Sequence, residues 1–269
     1  MNFAANSWTQ PLAGHVAIVT GGAGNGIGQG ISRQLAKAGA QVVIADVDEA
    51  GADAVAANIR QEGGHAFPVR ADVSDALSVE RLVETVRQRF GKIDVLVNSA
   101  GIGLVKPLHE ASEAEFDRLM SVDLRGVWLC CKAVIPAMQA LGRGSIVNIS
   151  SIHHQASLKG YAIYAAAKAG VNALARGIAI QYGQDGIRAN AICPGLVDGS
   201  QTRALVASFA PQVDAWLQSF VRQNQCLPEL IQPEDIGNAV VFLASPLSRC
   251  VTGATLTVDG GTLVRMAAS

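Results

Sequence analysis

Tyr164 and Lys168 stand four residues apart in the alanine-rich run YAIYAAAKAG. Four residues are about one helical turn, so both side chains leave one face of one helix. A free tyrosine titrates near ~10 and does not trade a proton readily at neutral pH. An ammonium about 4 Å away, at an effective dielectric near ~20, attracts a phenolate by roughly 4 kcal/mol, which lowers a tyrosine's pKa by about 3 units. Such a pair is a general acid/base. The same spacing also arises where an aromatic core residue sits beside a solvated cation. Ser151 tips the balance toward chemistry. It lies thirteen residues before Tyr164, just after the apolar run SIVNIS, and a hydroxyl leaving the end of a buried strand can face a helix packed back on the sheet.

The elements that must position these residues are legible as alternation. Seven apolar, β-branched runs, HVAIVT, QVVIAD, HAFPVR, IDVLVN, SIVNIS, IRANAIC and TLTVDG, are separated by amphipathic stretches such as ISRQLAKAGA and LSVERLVETVRQRFG. Strands apolar on both faces, alternating with helices, predict an α/β fold with a doubly wound parallel sheet. No linker, repeat or low-complexity segment divides the chain, so residues 1–269 read as one domain. Residues 199–225 carry little pattern. A long insertion beyond the C-terminal end of a strand is where such sheets place ligands and lids, and these residues are expected to form a substrate lid. Within them Trp216, Leu217 and Phe220 fit one helical stripe, suited to core packing or substrate contact.

Composition narrows the function classes. The 269 residues are 49% hydrophobic and 16% charged, with a formal charge of −1 and no basic block, so there is no electrostatic footprint for nucleic acid. No apolar run reads as a membrane span, and MNFAANSWTQPLAG lacks the basic-plus-apolar pattern of an export signal. Five cysteines without Cys-x-x-Cys spacing read as reduced packing residues of a cytoplasmic protein. His153 and His154 are adjacent, with no acidic or cysteine partner at ligand spacing nearby, so no metal site is expected. One of those rings, or Gln155, is expected to face a substrate while the other ring faces solvent.

The first strand-to-helix turn reads TGGAGNGIG, from Thr20 to Gly28. Glycines there let backbone approach a pyrophosphate at a helix N-terminus, or simply make a tight turn. Asp46 ends the second strand, eighteen residues after Gly28, where a carboxylate accepts hydrogen bonds from an adenosine ribose and repels a 2′-phosphate. With no Lys or Arg in the glycine turn and Val47 following Asp46, NAD(H) is favoured over NADP(H).

Taken together, the chain resembles the short-chain dehydrogenase/reductase family from about Leu12 to Gly261. The resemblance is carried by the Thr-Gly glycine turn, Asp46, Asp72-Val73, Asn98-Ser-Ala-Gly101, Ser151, Tyr164-x-x-x-Lys168, Asn190 and Pro194-Gly195. It implies a Rossmann fold of about seven parallel strands with helices on both faces. It implies Tyr164 as proton donor and acceptor, and Lys168 as the group that lowers the tyrosine pKa and holds the nicotinamide ribose. Ser151 would hold the substrate oxygen. It further implies NAD contacts from the glycine turn (Gly22 or Gly24, with Asn25, Gly26 and Ile27), from Asp72 and Val73 at the adenine, from Asn98, Ala100 and Gly101, and from Pro194, Gly195 and Val197 at the nicotinamide. A homotetramer built on two long helices and the last strand is the family's usual assembly.

The departures from the family pattern are informative. The glycine turn is one residue longer than usual, Ser99 replaces a second asparagine, and Gly199 replaces a hydroxyl, which leaves Ser200 or Thr202 to reach the carboxamide. Asp123, in SVDLRG, stands where an asparagine commonly completes a proton relay; its other reading is a residue bonded to local backbone. Tyr161, seven residues before Lys168, has the spacing used by enoyl reductases and is expected to line the substrate pocket. The expected activity is interconversion of a secondary alcohol, a polyol or sugar-like compound among the candidates, and a ketone. An enoyl or 3-oxoacyl reductase and a non-catalytic dinucleotide-binding regulator are the alternatives.

Overall fold

Each apolar run becomes a strand because its two faces are both covered. In the computed structural model, which describes residues 10–265, β1 (Val16–Thr20) is buried along its whole length. Ala17 and Val19 project into one core while Val16 and Ile18 project into the other, as the period-2 alternation of a strand requires. The remaining strands are β2 (Gln41–Asp46), β3 (His65–Arg70), β4 (Val95–Asn98), β5 (Gly144–Ile149), β6 (Ile187–Pro194) and β7 (Thr255–Val258). They pair in parallel in the order β3-β2-β1-β4-β5-β6-β7, each crossover being made by helix.

On one face lie α1 (Ile27–Lys37), α2 (Glu49–Gln61) and α9 (Pro233–Ala244), which contribute Ile31, Leu35, Val55, Ile59, Val240 and Leu243 to the first core. On the other lie α3 (Ala76–Phe90), α5 (Val127–Leu141) and α6 (Ala162–Tyr182), which contribute Leu82, Val86, Val134, Met138, Val171 and Ile178. This is the doubly wound Rossmann architecture expected from sequence. The strand order reverses between β1 and β4, so the crossovers leaving these two strands diverge. A crevice opens beyond their C-terminal ends, where Thr20 and Asn98 are paired in register.

Two features differ from the sequence reading. First, α4 (Glu113–Met120) runs through a π-helical segment, Ser121–Gly126, into α5, giving one continuous helix from Glu113 to Leu141. By length and composition that helix is apolar enough to cross a membrane, which the interrupted charges Asp117, Arg118, Asp123 and Arg125 conceal from a linear reading; 44% of its most apolar window is buried inside the fold. Second, residues 199–225 are mostly helical: α7 (Ser200–Ala207) and α8 (Val213–Asn224). Trp216, Leu217 and Phe220 lie on the less exposed stripe of α8: Leu217 is buried, and Trp216 stacks on Phe220 and meets Phe209 edge-on inside the lid. Most of the N-terminal stretch read for an export signal lies outside the described residues.

Candidate active site

Tyr164 and Lys168 occupy the first two turns of α6, and Lys168 Nζ lies 5.5 Å from the centre of the Tyr164 ring. The helix is pinned to the end of β5 by Ser150, whose hydroxyl donates to the Lys168 carbonyl at 2.9 Å. The ammonium is buried. It donates to the Ile149 carbonyl at 3.3 Å and pairs with Asp123 Oδ2 at 3.0 Å. Asp123 itself is fully enclosed, and its Oδ1 accepts the Ile102 N–H at 2.8 Å. Asp123 thus bonds backbone that is distant in sequence, and it also touches the lysine. Gly101 is glycine for a local reason, since a Cβ there would stand 3.1 Å from Asp123 Oδ2 and 3.3 Å from Lys168 Nζ. Burial disfavours the lysine's charge, but Tyr164 and Asp123 outweigh it and raise the Lys168 pKa, so the ammonium persists.

Ser151 is buried at the end of β5, its Oγ accepting the His153 N–H at 3.2 Å. The His153 ring stacks on Tyr161 (centroids 4.3 Å apart, planes 9° off parallel) and meets Tyr164 edge-on at 5.8 Å. Tyr161 also meets Tyr164 edge-on, at 6.0 Å. These residues form one aromatic wall beside the acid/base candidate. Burial lowers the His153 pKa, and burial together with the Arg176 charge lowers that of His154, so both imidazoles are held toward neutrality. His154 Nε2 is enclosed. His154 as a whole is part-buried, and it lies close enough to Arg176 of α6 to feel that charge. For Tyr161, burial and the neighbouring Tyr164 raise the pKa.

A groove of 430 Å³ lies over the C-terminal ends of β1, β2 and β4, with Gly24, Gly26, Ile27, Asp46, Ala100 and Val197 among its walls. Asp72, Val73 and Gly101 also line it. Two glycines shape its floor. Gly21 has a φ of +68° and a Cβ there would meet Ala100 Cα at 2.6 Å, while a Cβ on Gly28 would meet the Gly21 carbonyl oxygen at 2.0 Å. Asp46 projects into the groove with Oδ2 accepting the Ala23 N–H (2.9 Å) and Oδ1 accepting the Asp48 N–H (3.0 Å). Asp72 is locked by the Ser74 hydroxyl (2.6 Å) and N–H (2.8 Å), which hold its carboxyl below the ordinary value.

Several predicted contacts fall elsewhere. A Cβ on Gly22 would meet Ile44 Cγ2 at 2.8 Å, so that residue faces β2 rather than the groove. Asn25 gives its carbonyl to the Ser200 N–H at 2.7 Å, tying the glycine turn to the lid, and does not line the groove. Asn98 is buried with its amide donating to Asn148 Oδ1 at 2.8 Å, inside the sheet. Pro194 and Gly195 lie outside the groove walls, where Gly195 N–H bonds the Val258 carbonyl and a Cβ would meet Asp259 Cα at 2.8 Å. Conversely, Gly21, Ser99, Arg118, Gln201 and Thr202 line the groove. Of these, Gly21 lies in the glycine turn, Ser99 in the Asn98–Gly101 stretch and Thr202 at the lid, all read from sequence, whereas Arg118 and Gln201 were not singled out. Arg70, the register partner of Asp46 on β3, is a cation that a linear reading of the glycine turn passes over.

The whole arrangement has known counterparts. A family model described as enoyl-(acyl carrier protein) reductase matches residues 22–262. A cis-4-hydroxycyclohexanecarboxylate dehydrogenase of Sinomonas cyclohexanicum is 44% identical over 253 residues, covering 94% of this chain and 98% of that one. The chain belongs to the short-chain dehydrogenase/reductase family. A meso-2,3-butanediol dehydrogenase of Serratia marcescens is 35% identical, covering 91% of this chain and 93% of its own. The crystal structure of a short-chain dehydrogenase/reductase from Burkholderia xenovorans superimposes with a TM-score of 0.90 at 35% identity, over 96% of this chain and 99% of that one. Short-chain dehydrogenases are oxidoreductases that use a nicotinamide dinucleotide. The groove fits such a group: Gly24 and Gly26 line it, where a Cβ would project into open space, and a carboxylate stands at the end of β2.

Proposed function

We propose that the protein is an NAD(H)-dependent dehydrogenase that interconverts a secondary alcohol and a ketone, with Tyr164 as the acid/base. The observation that carries this reading is Tyr164 beside the buried Lys168 ammonium on α6, with Ser151 at the end of β5 linked to them through His153, whose N–H donates to Ser151 Oγ and whose ring meets Tyr164 edge-on. The dinucleotide, when bound, supplies the hydride acceptor or donor. Gly21, Gly24, Gly26, Asp46 and Val197 would hold it. In the oxidative direction Tyr164 Oη takes the hydroxyl proton of the substrate, Ser151 Oγ hydrogen-bonds the reacting oxygen, and Lys168 Nζ stabilises the phenolate by its charge. Asp46 supports NAD over NADP, because a carboxylate repels a ribose 2′-phosphate. The relatives' names support a hydroxyl on a ring or next to a second hydroxyl as the substrate class. His153 and Tyr161 would form the wall against such a substrate. We further assign the protein to the cytoplasm as a homotetramer, with five free cysteines suited to a reducing compartment.

Enoyl reduction is the second reading, favoured by the description of the matching family model and by the Tyr161 spacing. The raised pKa of Tyr161 weighs against it. The test is NADH or NADPH formation across a panel of cyclic and acyclic secondary alcohols and vicinal diols, with Tyr164→Phe as control. Turnover with NAD⁺ that falls at least ~10³-fold in Tyr164→Phe, dinucleotide binding being kept, is the expected result. Undiminished turnover in that variant sinks the assignment of Tyr164. Dinucleotide binding without turnover on alcohols, ketones or enoyl substrates would establish a binding regulator instead.

A further inference from the structure

Lys168 serves two partners. Its ammonium faces Tyr164 on its own helix and, 3.0 Å away, the Asp123 carboxylate, which the π-helical segment turns inward. The side chains of both members are almost wholly enclosed, 6% exposed for Lys168 and 0% for Asp123. Burial leaves the pair little solvent screening, so the field that Tyr164 feels is that of a cation with an anion at its back. The pair is also held rigidly. Asp123 Oδ1 is fixed by the Ile102 N–H, and Gly101 keeps the space between the backbone and both charges free of side chain.

We propose that Asp123 is a positioning residue that anchors Lys168 and, by cancelling part of its charge, raises the pH at which Tyr164 becomes a competent base. The proposal rests on the reading of Tyr164 as acid/base and deepens it. It predicts an enzyme whose alcohol oxidation is favoured by alkaline pH.

The other groups facing this pair do not supply the same effect. The Cys193 thiol approaches Lys168 from β6, but burial raises its pKa and keeps it neutral through the working range. Ile149 offers only a carbonyl. On the Tyr164 side stand His153, held toward neutrality, and Tyr161, whose pKa is raised. Asp123 is therefore the counter-charge. Lys168 keeps its proton, since Tyr164 and Asp123 together overcome the burial that would lower its pKa. The adjustable quantity is how much of the ammonium's field reaches Tyr164.

The experiment is the pH profile of kcat/KM for alcohol oxidation in the parent, Asp123→Asn, Asp123→Glu and Tyr164→Phe. It is paired with an ultraviolet titration of tyrosinate absorbance, in which the chain's three tyrosines are resolved by subtracting Tyr164→Phe. In Asp123→Asn the acid limb is expected to move to lower pH by about one unit or more, raising the rate at the foot of the limb about tenfold. The Tyr164-dependent absorbance step should move with it, and Asp123→Glu should keep the parental limb. An unmoved limb with a uniformly lower rate would assign Asp123 to a proton relay or to folding and overturn the proposal. Should Asp123→Asn fail to fold, Asp123→Ser carries the same expectation, and an unmoved limb there overturns it equally. Turnover retained in Tyr164→Phe would instead overturn the acid/base reading itself.

Discussion

A carboxylate at the end of a strand can do two different jobs in this fold, and Asp46 and Asp94 divide them. Asp46 points into the groove while its oxygens accept two backbone N–H groups, from Ala23 and Asp48. Those bonds hold the carboxylate in one orientation and leave lone pairs free toward a ribose. Replacing it with alanine removes charge-assisted hydrogen bonds, which contribute about 1.5–3 kcal/mol each. Asp46→Ala is expected to lower kcat/KM with NAD⁺ by about 10- to 100-fold. It should also narrow the preference over NADP⁺, since Arg70 and Arg118 remain nearby as cations. Steady-state kinetics with both dinucleotides decide this; an unchanged ratio would remove Asp46 from cofactor choice.

At the scale of elements, Asp94 ties the opposite end of the sheet together. Its Oδ2 accepts the Val16 N–H of β1 at 2.9 Å and pairs with Lys92 at 3.1 Å, and its Oδ1 pairs with Arg143, next to β5, at 3.0 Å. Burial by itself would raise this carboxyl's pKa, but the Val16 N–H and the two cations outweigh it and hold it below the ordinary value. A carboxyl depressed in the folded state adds stability that is complete above its unfolded value near ~4 and is lost as pH falls through its folded value. Asp94→Asn should thus cost about 2 kcal/mol at neutral pH, and the difference from the parent should fade below about pH 4. Denaturant unfolding at several pH values measures it, and a pH-independent difference would mean that the ionised form has no special role. The same element logic explains the Asp123 site: the π-helical segment between α4 and α5 rotates Asp123 inward, a placement that an unbroken α-helix would not produce.

At the scale of the whole molecule, an apolar surface lacks a partner among the described residues. A groove of 1170 Å³ runs between the α4–α5 helix and α6, its walls including Leu124, Trp128, Ile135, Gly170, Ala173 and Gly177. Ile180, 85% exposed on α6, continues the stripe of Ala173 and Gly177. Small residues on one helix beside bulky ones on the next suit the close approach of a second copy about a two-fold axis. This is the contact we assign to the proposed tetramer. Ile180→Asp is expected to reduce the mass found by solution light scattering while leaving the fold intact by circular dichroism. A monomeric mass for the parent protein would end the proposal.

What could be read from sequence was whatever repeats over a few residues. Short apolar, β-branched runs marked all seven strands, the four-residue spacing put Tyr164 and Lys168 on one face, and Asp46 was placed by its position at a strand end. What tertiary structure decided were contacts between segments far apart and the facing of residues inside irregular turns. Asp123 and Lys168 are distant in the chain, and only the π-helical segment brings them to 3.0 Å. In the lengthened glycine turn, Gly21 and Gly24 line the groove while Gly22 faces Ile44 of β2, a facing set by what packs against the turn. Asn98 turned inward to Asn148 and His154 Nε2 became enclosed for the same reason: strand ends and short loops take their orientation from what packs against them. Local periodicity is a property of the chain, whereas the meeting of two charges in a dry interior depends on every layer that closes over them.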